Sequence, residues 1–423
     1  MTTATTIDYP IISADSHVTE PAGTYIDYID PAYLDRAPRL VDGGELGDVF
    51  MVDGFKKPLV LGTTAAAGKP PEQIRLRGER FADLHRGGWD PVARLDDQVR
   101  DGVSAEVIYP TVGMLLCNHR DGDFKRACFQ AYNQWIADYC SHAPHRLIGV
   151  GQTAMRSPQE GIADLQEIKA LGLRGVMMPG LPAGEDDYDS PAYDEFWDAA
   201  VETGLPLSFH ILTTRAENTR GPKMNTFLSV VRGCQDIMGM LVLGGVFERH
   251  PELKVVCVEA DAGWVPHFMY RMDHAYKRHR YWLPAGQELT RMPSEWFADN
   301  IYVTFQDDWT AFRFADSMNW RHLLWANDFP HSDSTWPWSQ EMLAQHTADL
   351  TDEQRQAILS TNTAERVEVD GFTGLAVVDS QNLSGDPYVA LALSPRPIPR
   401  TARPSETACT LAMAAAVTAG CLV

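Results

Sequence analysis

The sequence has few of the features that mark secreted, membrane-spanning or disulfide-rich proteins. Its seven cysteines are odd in number and lack CxxC spacing, which favours reduced thiols over a disulfide framework. The longest apolar tract, Leu411 to Gly420, is too short to cross a bilayer. Met1 to Pro10 contains neither a basic n-region nor an apolar h-region, so we expect no secretion signal and a cytoplasmic location.

Positive charge is also scarce, because 57 Asp and Glu residues outnumber 36 Lys and Arg residues. The formal net charge is -21, and no Lys/Arg cluster interrupts the acidic residues along the chain. Such a balance argues against nucleic acid and anionic membranes as partners. The charge says little about the substrate, which we expect to be a small molecule.

Eight short apolar runs recur along the chain, each followed by a longer segment of helical character. The runs are Ile11 to His17, Ala105 to Thr111, Leu147 to Thr153, Gly175 to Pro179, Pro206 to Ile211, Lys254 to Ala260, Ile301 to Phe305 and Leu323 to Asp328. Val255 to Val258 is continuously apolar, which is typical of parallel strands covered on both faces. The pattern predicts an α/β fold, a (β/α)8 TIM barrel, as a catalytic domain over residues 7–367.

Two regions fall outside this repeat. Residues 18–104 separate the first two strands by a loop-rich stretch, which we expect to be an insertion that caps the barrel mouth. Residues 368–423 are rich in Pro, Ser, Thr and Ala with little periodicity, and we expect a partly disordered C-terminal extension. Helices are predicted between the strands, at Pro91 to Gly102, Asp123 to Ala143, Ser157 to Leu171, Ser190 to Thr203, Thr226 to Arg249, Trp264 to Arg280 and Thr351 to Val367.

Side chains that suit metal binding stand at the ends of several of these runs. Asp15 and His17 lie two residues apart in the first strand and therefore project from one face. His210 and Glu259 are the last but one residues of the fifth and sixth runs, and Asp328 ends the eighth. Barrel enzymes keep their active sites at the carboxyl ends of the strands, so these side chains are expected to meet. Each alone has an ordinary structural explanation, but their joint placement predicts a divalent-metal site.

These motifs resemble the amidohydrolase-related family over roughly Tyr9 to Arg366. The resemblance rests on the Asp-x-His opening, the histidine after strand five, the Phe247 to Val256 run and the Asn327 to His331 ending. It implies a (β/α)8 barrel with a divalent metal, Zn, Mn or Fe, whose ligands are Asp15, His17, His210 and Asp328. It also implies an enzyme, because known members include hydrolases and non-oxidative decarboxylases acting on aminocarboxymuconate semialdehyde and resorcylate.

The chain departs from the family pattern at strand six, where many members have a catalytic histidine and this chain has Glu259. Glu259 can serve as an acid or base if its pKa rises, or it can bind a second metal. A second metal would take Glu20, Glu259 and His274, as the resemblance to a smaller dinuclear branch of iron or iron/manganese oxygenases implies. Capping of a helix or turn is an equally good explanation for Glu20.

Arg271 lies in the helix after strand six, in an Arg-x-x-His context. In the family's decarboxylases a similar arginine grips the substrate carboxylate from a neighbouring subunit, which makes Arg271 a candidate catalytic anion clamp in a homodimer or higher homo-oligomer. Local packing of this face is the alternative.

The expected function is metal-dependent hydrolysis or non-oxidative decarboxylation of a small carboxylate or carbonyl compound. Asp328 would be a ligand and proton acceptor, and Glu259 would transfer the proton. A dinuclear non-heme iron monooxygenase and a non-catalytic partner subunit remain the alternatives.

Overall fold

Parallel strands alternate with helices along the chain, in the positions of the eight apolar runs. The computed structural model describes residues 7, 9–214, 220–283 and 286–367. The strands are β1 (Ile12–His17), β2 (Arg39–Asp42), β3 (Asp48–Met51), β4 (Leu59–Val60), β5 (Ala105–Tyr109), β6 (Leu147–Gly149), β7 (Gly151–Gln152), β8 (Val176–Met178), β9 (Leu207–His210), β10 (Val255–Val258), β11 (Ile301–Phe305) and β12 (Leu323–Trp325).

The helices lie between these strands and after the last one. They are α1 (Gly23–Ile26), α2 (Pro91–Asp101), α3 (Val112–Leu116), α4 (Gly122–Cys140), α5 (Pro158–Ala170), α6 (Asp194–Thr203), α7 (Asn225–Ser229), α8 (Val231–Leu243), α9 (Val246–Arg249), α10 (Val265–His279), α11 (Pro293–Asn300), α12 (Trp309–Arg313), α13 (Ser339–His346), α14 (Asp352–Gln356) and α15 (Asn362–Arg366). Single 3-10 turns occupy Pro31–Arg36, Gly44–Leu46, Pro71–Gln73, Phe81–Asp83, Arg86–Gly88, Pro191–Tyr193, Arg280–Trp282, Ala315–Ser317 and Trp320–His322, and a π-helical turn occupies Ala357–Thr361.

The parallel strands form two hydrogen-bonded arcs in the order of a (β/α)8 barrel. One arc runs β1-β5-β6 and the other runs β7-β8-β9-β10-β11-β12. The third predicted strand is divided between the arcs at Val150, whose backbone N–H donates to the Ile108 carbonyl. At the other junction His17 N donates to Phe329 O at 2.6 Å, and Asp328 N donates to Asp15 O at 3.1 Å. The first strand therefore meets the segment that follows the last.

The barrel strands are buried because their runs are apolar on both faces. All residues of β9 and β10 are buried, as the continuous hydrophobic pattern predicts. The surrounding helices begin and end at ordinary signals. For example, Asp90 accepts hydrogen bonds from the first turn of α2, Pro91 occupies its first position, and Gly102 ends it at φ 71°. These elements fix the strand ends that carry the polar side chains.

The insertion after β1 is loop-rich, as predicted, but it also contains a small antiparallel sheet. Strands β2, β3 and β4 pair in that order, with Leu40 opposite Phe50 and Phe50 opposite Leu59. These strands are two to four residues long, which is too short for an alternating pattern to stand out in the sequence.

The prediction of one helix from Thr226 to Arg249 was wrong in its continuity. Three helices, α7, α8 and α9, occupy this stretch, and Gly245 adopts φ 73° between the last two. That conformation suits glycine and interrupts a regular helix. By length and composition alone, Asn225–Leu243 is apolar enough to cross a membrane, a test that core helices of soluble proteins also pass. Its buried positions, which include Ile237 and Leu241, belong to the barrel core.

The predicted C-terminal extension, 368–423, lies outside the described residues. Five of the seven cysteines lie within them, and all five are free and buried: Cys117, Cys128, Cys140, Cys234 and Cys257. Among the described cysteines there is thus no disulfide, as the spacing predicts.

Candidate metal centre

Four strand ends bring the predicted ligands to one place at the carboxyl end of the barrel. Asp15 and His17 come from β1, His210 is the last residue of β9, and Glu259 directly follows β10. Asp328 joins them from the turn after β12 through its backbone hydrogen bond to Asp15. These side chains are fully or almost fully buried, except that Glu259 keeps 14% of its side chain exposed.

The polar atoms that converge here have no hydrogen-bond partner within the described part of the chain. They are Asp15 Oδ1 and Oδ2, His17 Nε2, His210 Nε2, Glu259 Oε2, and Asp328 Oδ1 and Oδ2. Leaving buried polar groups unpaired is costly, and more so when they carry charge. Metal ions bound among them would supply the missing partners.

The spacing of these atoms fits a metal ion. His17 Nε2 lies 3.4 Å from Asp15 Oδ1 and 3.7 Å from Glu259 Oε2. His210 Nε2 lies 3.6 Å from Asp15 Oδ1 and 3.2 Å from Glu259 Oε2. Ligand bonds of about 2.1 Å place neighbouring donors roughly 3.0 to 3.5 Å apart. The observed distances are close to that range, so this donor set fits a divalent metal.

Two overlapping groups of donors meet this requirement. The first comprises Asp15, His17, His210 and Glu259, and the second comprises His17, Glu259, Asp328 and His331. Within each group the ligand atoms lie within 4.8 Å of one another. Mixed imidazole and carboxylate donors suit Zn, Mn or Fe rather than Ca or Mg.

Backbone carbonyls behind two of the histidines fix their tautomers. His17 Nδ1 lies 3.0 Å from Pro110 O, and His210 Nδ1 lies 3.0 Å from Ile211 O. A carbonyl can only accept a hydrogen bond, so each Nδ1 carries the hydrogen. Each Nε2 therefore presents a lone pair to the site when the ring is neutral, which is the arrangement found when a metal-binding histidine donates its other ring N–H to an acceptor behind it.

The electrostatics of the site also favour a positive charge between these groups. Burial opposes ionisation of Asp15, but the charge of His210 and the His17 ring, whose Nε2 lies 3.4 Å from Asp15 Oδ1, hold the pKa of that carboxyl below its usual range. Burial likewise opposes the charged form of His17, but Asp15 and Glu259 raise its pKa well above the usual value. Burial and the charge of Glu259 raise the pKa of Asp328. A cation at this position would relieve the repulsion among the carboxylates.

Backbone strain is concentrated at the same mouth. Glu259, Asp261 and Asp328 adopt φ of 57°, 55° and 51°, and Met155 and Leu212 also have positive φ. Non-glycine residues in this region cost of order 1–3 kcal/mol each and cluster at functional sites. The fold therefore holds Glu259 and Asp328 in conformations that local preference disfavours.

Glu20, a predicted second-metal ligand, lies outside both donor groups in the described residues. Its Oε1 accepts backbone N–H hydrogen bonds from Thr111 at 3.0 Å, Val112 at 2.8 Å and Gly113 at 3.4 Å. These residues open α3, so the carboxylate binds the start of that short helix. The capping alternative describes this contact.

His274 also lies outside the two groups among the described residues. Arg271 is exposed on α10, and the ring of His274 packs 5.8 Å from that of Tyr270. His274 is thus not among the donors that the structure groups together, and the Arg271 side chain is open to solvent.

His331 is a site residue that the sequence-based ligand set missed. Its Nδ1 lies 3.0 Å from Asp328 Oδ1, and its ring stacks on His17 with centroids 3.9 Å apart. The turn after β12 has no regular period, so spacing alone could not place it. The histidine three residues after Asp328, in the Asn327 to His331 ending, was the available signal.

Comparisons with known proteins agree with this architecture. Residues 58–367 match the family model described as Amidohydrolase. A 2-amino-3-carboxymuconate-6-semialdehyde decarboxylase from Dictyostelium discoideum is 26% identical over 207 residues, which is 48% of this chain and 56% of that relative. This chain thus matches only about half the length of that relative.

Solved structures extend the similarity over the barrel. An amidohydrolase from Mycobacterium avium subsp. paratuberculosis superposes with a TM-score of 0.69 at 19% identity, covering 86% of this chain and all of its own. A 5-carboxyvanillate decarboxylase from Novosphingobium aromaticivorans, complexed with manganese, superposes with a TM-score of 0.62 at 19% identity, covering 85% of this chain and 96% of its own. At such identities these matches show the fold alone. The family model matches well over half of the 423 residues of this chain. The chain therefore belongs to the amidohydrolase family.

Proposed function

We propose that this protein is a metal-dependent carboxy-lyase that releases carbon dioxide from a small carboxylic acid. The observation that carries the proposal is the buried convergence of imidazole and carboxylate atoms without hydrogen-bond partners at the barrel mouth. Asp15, His17, His210 and Asp328 would hold the metal. When bound, a divalent metal supplies positive charge that stabilises an anionic substrate oxygen.

Glu259 is placed to handle the proton. Among the residues of the two donor groups that come from β1, β9 and β10, Glu259 is the one with a partly exposed side chain, at 14%, so solvent can reach its carboxyl. Its carboxyl would give a proton to the carbon that loses carbon dioxide, as the carbon–carbon bond breaks and its electron pair passes to that carbon. Water would then return a proton to Glu259.

Two similarities support decarboxylation over hydrolysis and over oxygen chemistry. The curated relative from Dictyostelium discoideum is named for a decarboxylation, and so is the manganese-bound structural neighbour. Manganese is therefore the first metal to test, with zinc and iron as alternatives. The same donors could activate water for hydrolysis or, with two iron ions, take part in oxygen chemistry, so the experiment must separate these reactions.

The test measures carbon dioxide release from a panel of small carboxylic acids. Metal-free protein is reloaded with Mn, Zn or Fe and assayed in air and under anaerobic conditions. We expect release that depends on metal and persists without oxygen. We also expect His210→Ala to lose both metal and activity, while His142→Ala, an exposed control, keeps both. Absence of carbon dioxide release with every metal, or an oxygen requirement, would refute the proposal.

We also propose that the protein is a cytoplasmic homodimer or higher homo-oligomer in which Arg271 grips the substrate carboxylate at a neighbouring subunit's mouth. In the described part of the chain, Arg271 is exposed and has no ion-pair partner. Neighbouring Tyr270 is 57% exposed, which leaves an aromatic surface beside it. Light scattering should give at least twice the chain mass of 47.1 kDa; a monomer would contradict this assembly.

A further inference from the structure

A third histidine, His331, faces the carboxylates of the metal centre. Its Nδ1 lies 3.0 Å from Asp328 Oδ1, and both side chains are largely or fully buried. It belongs to the second donor group with His17, Glu259 and Asp328. What His331 does there depends on which ring nitrogen carries the hydrogen.

Thr111 determines that tautomer. Its hydroxyl donates to the Val18 carbonyl at 2.6 Å, because a carbonyl can only accept. The hydroxyl has a single hydrogen, so its oxygen must accept in the second contact, 2.9 Å from His331 Nε2. His331 therefore carries hydrogen on Nε2, and in the neutral ring Nδ1 presents a lone pair to Asp328.

A lone pair on Nδ1 and an ionised carboxylate oxygen at 3.0 Å repel each other, so a proton or a metal cation must lie between them. The presence of both residues in one donor group favours the metal. His17 and His210 have the same arrangement. One ring nitrogen of each is hydrogen-bonded to a backbone carbonyl, and the other faces the carboxylates. Each of the three imidazoles thus presents the lone pair of one ring nitrogen to a metal ion. For His331 the protein partner is a hydroxyl rather than a carbonyl.

Thr111 is itself held in place by Glu20. The Glu20 carboxylate accepts the backbone N–H of Thr111 at 3.0 Å, and Thr111 is 7% exposed. The chain of contacts runs from Glu20 through Thr111 to His331 and ends at Asp328. Glu20 therefore contacts the metal centre through two intermediates, Thr111 and His331, while its own Oε2 has no hydrogen-bond partner among the described residues.

We propose that His331 is a further ligand of the metal centre and that Thr111 is the positioning residue that holds it in its ligating tautomer. The inference rests on the metal site of the proposed function but not on decarboxylation. It can therefore be tested by metal binding in the absence of substrate.

The experiment titrates metal-free full-length protein with Mn²⁺ and follows free Mn²⁺ by electron paramagnetic resonance. Thr111→Val removes the hydroxyl at nearly constant shape, and we expect about 10- to 100-fold weaker binding, the usual effect of losing an outer-shell partner. Thr111→Ser restores the hydroxyl and should bind within about threefold of wild type. Thr347→Val is the matched control, since Thr347 is buried and its hydroxyl donates to Leu343 O away from the donor groups.

Wild-type affinity in Thr111→Val, or failure of Thr111→Ser to restore binding, would overturn the inference. If Thr111→Val does not fold, the wild-type protein labelled with ¹⁵N-histidine still decides, with His331→Gln to assign the signal. We expect hydrogen on Nε2 and a change of the Nδ1 shift when Zn²⁺ is added. Hydrogen on Nδ1, or no change with Zn²⁺, would refute it. Mn²⁺ binding that depends on Thr111 in a protein without carbon dioxide release would refute the proposed function alone.

Discussion

Replacing Glu20 with glutamine tests whether burial or hydrogen bonding from the backbone determines the pKa of this buried carboxyl group. Burial raises the pKa of Glu20 from 4.5 to about 7, although hydrogen bonds from the backbone N–H groups of Val112, Gly113 and Thr111 act in the opposite direction. Glutamine has the same shape and its carbonyl can accept the same hydrogen bonds, but it cannot ionise. The variant therefore isolates the contribution of the negative charge.

The sign and size of the effect follow from proton binding in the two states. Below pH 4.5 the group is protonated in folded and unfolded protein and contributes nothing. Between 4.5 and about 7 the unfolded chain loses the proton while the folded protein keeps it, so stability falls as pH rises. At a pH above both pKa values, this difference of about 2.5 pKa units lowers the free energy of unfolding by about 3.4 kcal/mol. About 2.5 kcal/mol of that loss develops between pH 5 and pH 8.

The assay is urea unfolding of wild type and Glu20→Gln at pH 5 and pH 8. We expect the variant to gain about 2.5 kcal/mol in apparent free energy of unfolding relative to wild type between these two pH values. Subtracting the free energy of unfolding of wild type from that of the variant at each pH cancels the titration of every other group. Glu341→Gln, at an exposed position in the first turn of α13, is the control and should show little pH dependence. A variant that loses relative stability on going to pH 8 would show that the N–H groups prevail and that Glu20 is charged.

Two further predictions concern polar groups buried beneath the metal centre. Arg94→Met should lower the apparent free energy of unfolding by about 3–5 kcal/mol in urea, because it leaves Glu106, 2.6 Å away and 2% exposed, without its buried partner. Adding Glu106→Gln should recover part of that loss, and no recovery would contradict the explanation. Asn327→Ala should cost about 1–3 kcal/mol by urea unfolding, since its amide donates to Glu106 at 3.1 Å and Asp101 at 3.3 Å. An unchanged midpoint would show that water replaces the amide.

The barrel could be predicted from the sequence because its strands are buried on both faces. Val255 to Val258 leaves no polar alternation, and such runs separated by helical segments are typical of parallel sheets. The antiparallel sheet of the insertion was not predicted, because β4 has only two residues. Helix α11 was also missed, since eight residues with a weak apolar pattern give little periodic signal.

The donor cluster could be predicted only where strand geometry determines direction. Asp15 and His17 share a face by strand spacing alone, and the structure brings both to the cluster. His331 follows an irregular turn, so its ring position depends on Thr111, which is 220 residues away in the chain. The contact of Glu20 with α3 likewise joins residues 91 or more positions apart. Long-range contacts of this kind have no local pattern in a single sequence.

The meeting of β1 with the turn after β12 has a consequence for how the protein is made. Asp15 and His17 leave the ribosome near the start of synthesis, while Asp328 and His331 follow about 300 residues later. Until then the first strand lacks the neighbour whose backbone N–H at Asp328 binds the Asp15 carbonyl. Metal capture by the full donor set is therefore a late event, after the last strand is in place. Metal occupancy would then report how many chains in a preparation have completed folding.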